Sequence, residues 1–167
     1  MTFLDEIEAC LPSLRRYAFA LLRNRDAADD LVQDTLERAL SRRHLWRGEG
    51  PLRAWLFRIL LNRFRDDRRR GRASLTVVGV MVEPAVSGGQ DERLDLREVH
   101  EAMGRLPADQ RAALLLVGLE GMSLAEAARI LELPEGTLAS RLGRARAELR
   151  TMTGRSGPRG ERKAAEP

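Results

Sequence analysis

The chain has 167 residues, 43% hydrophobic and 32% charged, which excludes disorder throughout and leaves room for one ordinary domain or two small ones. Aromatics are only 4%, so the core must be aliphatic. A net charge of +4 with a pI near 10.4 makes a polyanion the natural partner.

The cations are almost all arginine, Lys163 being the sole lysine. A guanidinium presents a planar fork that matches phosphates and guanine edges. Arginine-rich coding accounts for the ratio of arginine to lysine, but not for where the arginines cluster. Cys10 is the only cysteine, which excludes an internal disulfide framework and a cysteine-based zinc site, and no metal or cofactor is expected. The amino terminus MTFLDEIEAC carries acids where a signal peptide needs cations, and apolar runs such as residues 112–117 are too short to span a bilayer. A cytoplasmic protein is expected.

In chain order, an apolar period near 3.6 predicts a helix over residues 3–22, with Pro12 at the first turn of its main part. Asn24 caps a second helix running to about residue 46. The turn GEGP at residues 48–51 starts a third that continues to about residue 70. From residue 71 to 90 the period fails and Gly, Ser and Pro84 accumulate, which reads as a linker. Its apolar run Thr76-Val82 is read either as a strand laid on a partner or as a segment tucked against a domain. Helices resume over residues 91–105, 107–119, 123–131 and 134–152, and the tail from residue 154 is basic and expected to be disordered. The fold class is all-α: two small helical domains, residues 1–72 and 91–153, joined by a flexible linker at 73–90 and followed by a tail at 154–167.

In the second domain, Ser123 and Glu126 form a capping box that fixes a helix start. After a tight turn, Leu138, Leu142, Ala145 and Leu149 form one inward stripe, leaving Thr137, Ser140, Arg141 and Arg144 on another face. With small Ala128 at the helix crossing, the pattern is a helix-turn-helix whose second helix presents groups that contact phosphates and base edges in a major groove. Glu132 sits where such turns often place glycine to reach positive φ, so either the turn differs or strain is accepted.

In the first domain, Arg58, Asn62, Arg65 and Arg69 share one helix face, while Leu52, Leu56 and Ile59 form the buried one. Arg53, Arg63, Arg68, Arg70 and Arg72 add to the field, which predicts salt-dependent binding to a polyanion. On the preceding helix Asp26, Asp30, Gln33, Asp34 and Glu37 line one side, nearly opposite Ala28, Leu31, Val32, Leu36 and Ala39. Charge alone leaves a solvated face and a protein-contact surface equally open. His44 and His100 are isolated and no acid, base and nucleophile converge, so catalysis and a small-molecule substrate are not expected.

Together, DAADDLVQDTLERAL, GPLRAWLFRILLNRFRDDRRR and LPADQRAALLLVGLEGMSLAEAARILELPEGTLASRLGRARAEL resemble the extracytoplasmic-function (ECF) sigma factors of the sigma-70 family, in order and spacing, up to about residue 150. The resemblance implies a region 2 domain and a region 4 helix-turn-helix, binding core RNA polymerase and directing it to promoter DNA. It implies that Asp30, Gln33, Asp34 and Glu37 grip the clamp of the polymerase's largest subunit. Asn62, Arg65, Asp66, Arg68 and Arg69 would read the minus-ten element, where a base is captured out of the stack. Trp55 and Phe57 are assigned to the core, with Trp46 and the GEGP turn bordering the minus-ten pocket. Thr137, Ser140, Arg141 and Arg144 would read the minus-thirty-five element. With no further domain expected after the recognition helix, regulation should come from an anti-sigma factor. The competing readings are a regulator that binds duplex DNA alone and a sigma-like decoy that binds an anti-sigma factor without touching DNA.

Overall fold

The computed structural model describes residues 1–71 and 90–154, with the side chains of 90–95 left out. The Thr76-Val82 run and most of the tail lie outside the described residues.

The first domain is three helices: α1 (Phe3–Leu22), α2 (Arg25–Ser41) and α3 (Leu52–Arg69), with a 3-10 turn at Arg43–Leu45. A reciprocal capping box of Thr2 and Asp5 opens α1 at 2.7 and 3.3 Å, and holds the Asp5 carboxyl below its usual range. Pro12 lies inside α1 and does not open its main part, contrary to the sequence reading. The capping box starts the helix earlier, and a ring at that position removes one amide from the ladder without ending it. The Asn24 side chain accepts from the Ala27 amide at 2.9 Å and starts α2 as expected. That helix stops at Ser41, not near Trp46. The Ser41 hydroxyl bonds back to the Arg38 carbonyl at 3.1 Å, and the polar stretch that follows offers no inward stripe to carry the helix further.

The second domain is α4 (Gln90–Arg105), α5 (Ala108–Gly118), α6 (Leu124–Leu131) and α7 (Glu135–Met152). The Ser123–Glu126 capping box forms as read, at 2.9 and 3.2 Å. Among the described residues no strand forms and no helix is long and apolar enough to cross a membrane.

Leu14, Leu21, Leu56, Phe57, Leu60 and Leu61 are at most 1% exposed, and each such side chain contributes about 1.5–3 kcal/mol on burial. Tyr17 and Phe57 meet edge to face at 5.0 Å in the middle of this core. The core continues without a break into the second domain through Ala112, Leu116, Ile130 and Leu138, so the two domains pack face to face. α1 lies on α5, and α3 on α6.

Polar contacts stitch that interface. The Tyr17 hydroxyl, buried, donates to the Ala112 carbonyl at 2.8 Å. Arg111 donates to the Leu21 carbonyl at 3.0 Å. Arg23, in the left-handed region at φ 56, extends across α4 at Gly104, where a Cβ would collide with its guanidinium, and its Nε donates to His100 Nε2 at 3.4 Å. Glu120, in the loop after α5, has no exposed side-chain surface. Arg16 grips its carboxylate in a fork at 3.1 and 2.9 Å, and Arg53 binds both its carboxylate and its backbone carbonyl.

Candidate nucleic-acid and polymerase interfaces

The arginine face of α3 exists because its opposite face is needed inside. Leu52, Leu56, Leu60 and Phe64 are buried, and the positions between them must turn outward. Asn62, Arg65, Asp66, Arg68 and Arg69 all line one open cleft of about 800 Å³, joined by Arg38 and Arg42 of α2 and its C-cap. The Arg69 guanidinium, hydrogen-bonded to Asp66, holds that carboxyl below the usual carboxylate range, and Arg38 stands 4.0 Å away. With Asp66 engaged by its neighbours, Arg38, Arg42, Arg65 and Arg68 keep the cleft basic. Asp109 and Glu132 of the second domain form its far rim.

The second domain also reaches into the arginine face. Arg58 donates to the Arg129 carbonyl and Arg65 to the Leu131 carbonyl, each at 3.1 Å, and Arg68 pairs with Asp109 at 3.4 Å. Trp46, Gly50 and Pro51 do not border this cleft. They line a separate one of about 310 Å³ with Trp55, Arg58 and Arg129. Trp46 packs on Trp55 at 5.6 Å with the ring planes tilted by 39°, and Trp55 meets Phe3 at 6.4 Å, which anchors the turn. Phe57 is fully buried, as assigned; Trp55 is half-buried.

On α2, the apolar side is set by Ala28, Leu31, Val32 and Ala39, with Thr35 buried among them and satisfied by the Leu31 carbonyl at 2.7 Å. Asp30, Gln33 and Asp34 line a groove of about 510 Å³ between α2 and α3, whose other wall includes Arg63, Phe64 and Asp67. Glu37 stands outside it, bonded to Gln33 at 3.3 Å. The acidic repulsion expected on this face is relieved at one point, because Arg63 bonds Asp34 at 2.8 Å and stands 3.2 Å from Asp67. Asp30 and Glu37 remain exposed.

The second helix of the helix-turn-helix is held by Leu138, Leu142 and Ala145, all buried, with Leu149 half-buried. Thr137, Ser140 and Arg144 are exposed and Arg141 is half-buried, and none of the four has a hydrogen bond or ion pair among the described residues. Glu132 takes φ 57 and ψ 44, the left-handed conformation that favours glycine. The turn is therefore the ordinary one, and strain is accepted at a non-glycine residue. It closes α6 by a Schellman pattern, the Leu133 amide bonding the Ala128 carbonyl at 3.0 Å and the Glu132 amide the Arg129 carbonyl at 3.4 Å.

Sequence reasoning missed Arg38 and Arg42 as walls of the basic cleft, and Tyr17, Arg16 and Glu120 at the interface. Tyr17, the single tyrosine on an apolar stripe, carried a signal, since a buried hydroxyl must find a partner. Glu120 carried none, because its partners lie 67 and 104 residues away in the chain.

Residues 7–61 match the family model described as the Sigma2 domain of PhyR, and residues 96–149 the one described as Sigma-70, region 4. The ECF RNA polymerase sigma factor EcfG of Rhodopseudomonas palustris is 42% identical over 150 residues, covering 89% of this chain and 83% of that protein. The ECF RNA polymerase sigma factor SigM of Mycobacterium tuberculosis is 36% identical over 84% of this chain and 71% of its own length. Among solved structures, the sigma factor RpoE of Bartonella quintana, in complex with the anti-sigma factor NepR, aligns with a TM-score of 0.73 at 40% identity, covering 91% of this chain and 96% of that one. The anti-anti-sigma factor PhyR of the same organism shares the fold at 19% identity and a TM-score of 0.63, over 90% of this chain and 50% of that one. Region 2 and region 4 thus occur here in order, on a fold shared with sigma factors, and the chain belongs to the ECF RNA polymerase sigma factors, which direct the initiation of transcription.

Proposed function

We propose that this chain acts in the cytoplasm by binding rather than by catalysis, as two units, residues 1–72 and 91–153, joined at 73–90 and followed by a tail at 154–167. Residues Asp30, Gln33, Asp34 and Glu37 of α2 hold the clamp of the largest subunit of core RNA polymerase. Asn62, Arg65, Asp66, Arg68 and Arg69 take the minus-ten strand, and Thr137, Ser140, Arg141 and Arg144 the minus-thirty-five duplex. An anti-sigma factor is the regulatory partner, as NepR is for the Bartonella sigma factor of similar fold.

The observation that carries this reading is the segregation of charge on the first domain. All five minus-ten residues line one basic cleft, while Asp30, Gln33 and Asp34 line a separate groove with an acidic wall. A strand of phosphates and a protein surface can then be held at once, each by the charge it needs. The test is reconstitution: purified chain added to core polymerase should yield transcripts from a defined start, and a chain that fails to bind core polymerase at all overturns the reading.

The match of residues 7–61 to the PhyR domain favours one alternative, a decoy that captures an anti-sigma factor without initiating transcription. It predicts anti-sigma binding with no transcript in the same reconstitution. The exposed polar face of α7 and the arginines of α3 weigh against it, because a decoy has no need of phosphate contacts.

A further inference from the structure

Helix α2 changes sign along its length, and the change falls where it packs across α3. Its first turns carry Asp26, Asp29, Asp30 and Asp34, and the groove beside them is walled on α3 by Arg63, Phe64 and Asp67. Its last turn and C-cap carry Arg38 and Arg42, which line the basic cleft with Asn62, Arg65, Asp66 and Arg69 of α3. Two ion pairs mark the crossing, Asp34 to Arg63 at 2.8 Å and Arg38 to Asp66 at 4.0 Å. Glu37, the one acid of α2 beyond Asp34, is bonded to Gln33 and lines neither opening.

A helix dipole by itself favours cations in the last turn, each contributing about 0.3–1 kcal/mol. That accounts for positive charge at this end of α2, but not for where it points. Arg38 and Arg42 are four residues apart, so they share one face, and that face lines the cleft. The next cation, Arg43, lies instead over the Phe3 ring at 5.2 Å. Arg42 is exposed, with no hydrogen bond or ion pair of its side chain among the described residues. The Arg38 side chain is 34% exposed, and its one ion pair among the described residues is with Asp66, which Arg69 also engages. A guanidinium has five N–H donors, so Arg38 keeps donors for a second anion.

We infer that Arg38 and Arg42 are phosphate contacts of the minus-ten strand, so that α2 holds polymerase by its acidic turns and DNA by its arginine end. The inference rests on the reading of the cleft as the minus-ten surface, and gives that surface a second wall. Four residues of helix advance about 6 Å, so each guanidinium takes its own phosphate. Phosphate contacts position a strand and carry no sequence information, so α2 fixes the path of the strand while α3 supplies the groups that read bases. Because both sets of contacts sit on one rigid helix, the strand is placed in a fixed register to the polymerase.

The test titrates a short fluorescent single-stranded DNA against the full chain bound to core polymerase, over a range of salt, with core polymerase alone as the baseline. Arg38→Gln with Arg42→Gln should make the log–log salt slope shallower by about 1.4, for two contacts at about 0.7 each. The same two contacts make affinity fall about 25-fold at about 0.1 M salt. The loss should be equal for two strands of unrelated sequence, with affinity for core polymerase unchanged. Arg38→Lys with Arg42→Lys should restore the slope, since an ammonium serves a phosphate as a point charge. Arg43→Gln removes a neighbouring cation outside the cleft and should leave the slope as it is.

An unchanged slope for the glutamine pair, while Arg65→Gln with Arg68→Gln weakens binding, overturns the inference and leaves the minus-ten surface on α3 standing. No effect of either pair overturns the reading of the surface and the inference with it. A slope lowered by about 0.7 in Arg43→Gln assigns the effect to overall charge and overturns the two contacts. A loss confined to one of the two sequences makes these arginines base readers and overturns their phosphate role.

Discussion

The arginine face of α3 and the polar face of α7 are the two surfaces proposed to face DNA, yet the molecule treats them differently. On α3, Arg58, Arg65 and Arg68 each have a partner from the second domain. On α7, Thr137, Ser140, Arg141 and Arg144 have none among the described residues. The contrast follows from geometry. The apolar stripe of α7 is buried within its own domain, so its polar face has nowhere to point but solvent. The arginines of α3 flank the seam where α6 docks, and guanidiniums at a seam find whatever carbonyls and carboxylates the other side offers. Similar chemistry is thus free in one place and engaged in the other.

The largest effect should come from the free face. Reversing Arg141 and Arg144 to glutamate replaces two cations with like charges against phosphate, and should lower promoter-specific transcription by about a hundredfold or more with core polymerase binding intact. Full transcription from this variant would place recognition elsewhere than α7. Next, Asp30→Arg with Glu37→Arg reverses two of the exposed acids of α2. Core polymerase affinity should drop about tenfold, measured by competition against a labelled wild-type chain, while binding of DNA by the free protein is unaffected or tighter. Unchanged core affinity would remove α2 from the polymerase interface.

A smaller change sharpens the seam itself. Tyr17→Phe keeps the ring against Phe57 and deletes only the hydroxyl that bonds Ala112, so urea unfolding should show a loss of about 1 kcal/mol with an unchanged m-value. No loss at all would mean that this bond adds nothing to the packing of the domains. The smallest effect is one of pH. Burial lowers the His100 pKa below its ordinary 6.5, and Arg23 adds to the shift. A depressed folded-state pKa means that the unfolded chain takes up the proton first as pH falls. The contribution of this site is therefore intact above pH 6.5 and lost below it, where the protonated ring also stops accepting from Arg23. Melting temperature should decline slightly between about pH 7.5 and about pH 5.5, and His100→Gln should flatten that decline. An equal decline in the variant would assign it to other groups.

Much of the fold is legible residue by residue. The caps at Asn24 and Ser123 act over three positions, and the inward stripe of α7 repeats every turn, so each is written locally. The errors are local as well. Pro12 is tolerated inside α1 because the capping box at Thr2 starts the helix ahead of it. The Trp46 turn lies outside the basic cleft, its ring packed on Trp55. Periodicity reports which side of a helix is inward, but not which inward neighbour a loop will choose.

The sequence by itself determined the helices, their buried faces, the helix-turn-helix and the separation of acidic from basic surface, because these depend on spacing within a few turns of chain. It also marked Glu132 as a turn residue of unusual type. Only the tertiary structure decided which charges pair across the seam between the domains. The α6 carbonyls and the buried Glu120 meet their arginines across 66 to 104 residues of chain, and no local pattern encodes which charges will face each other once two apolar surfaces have closed.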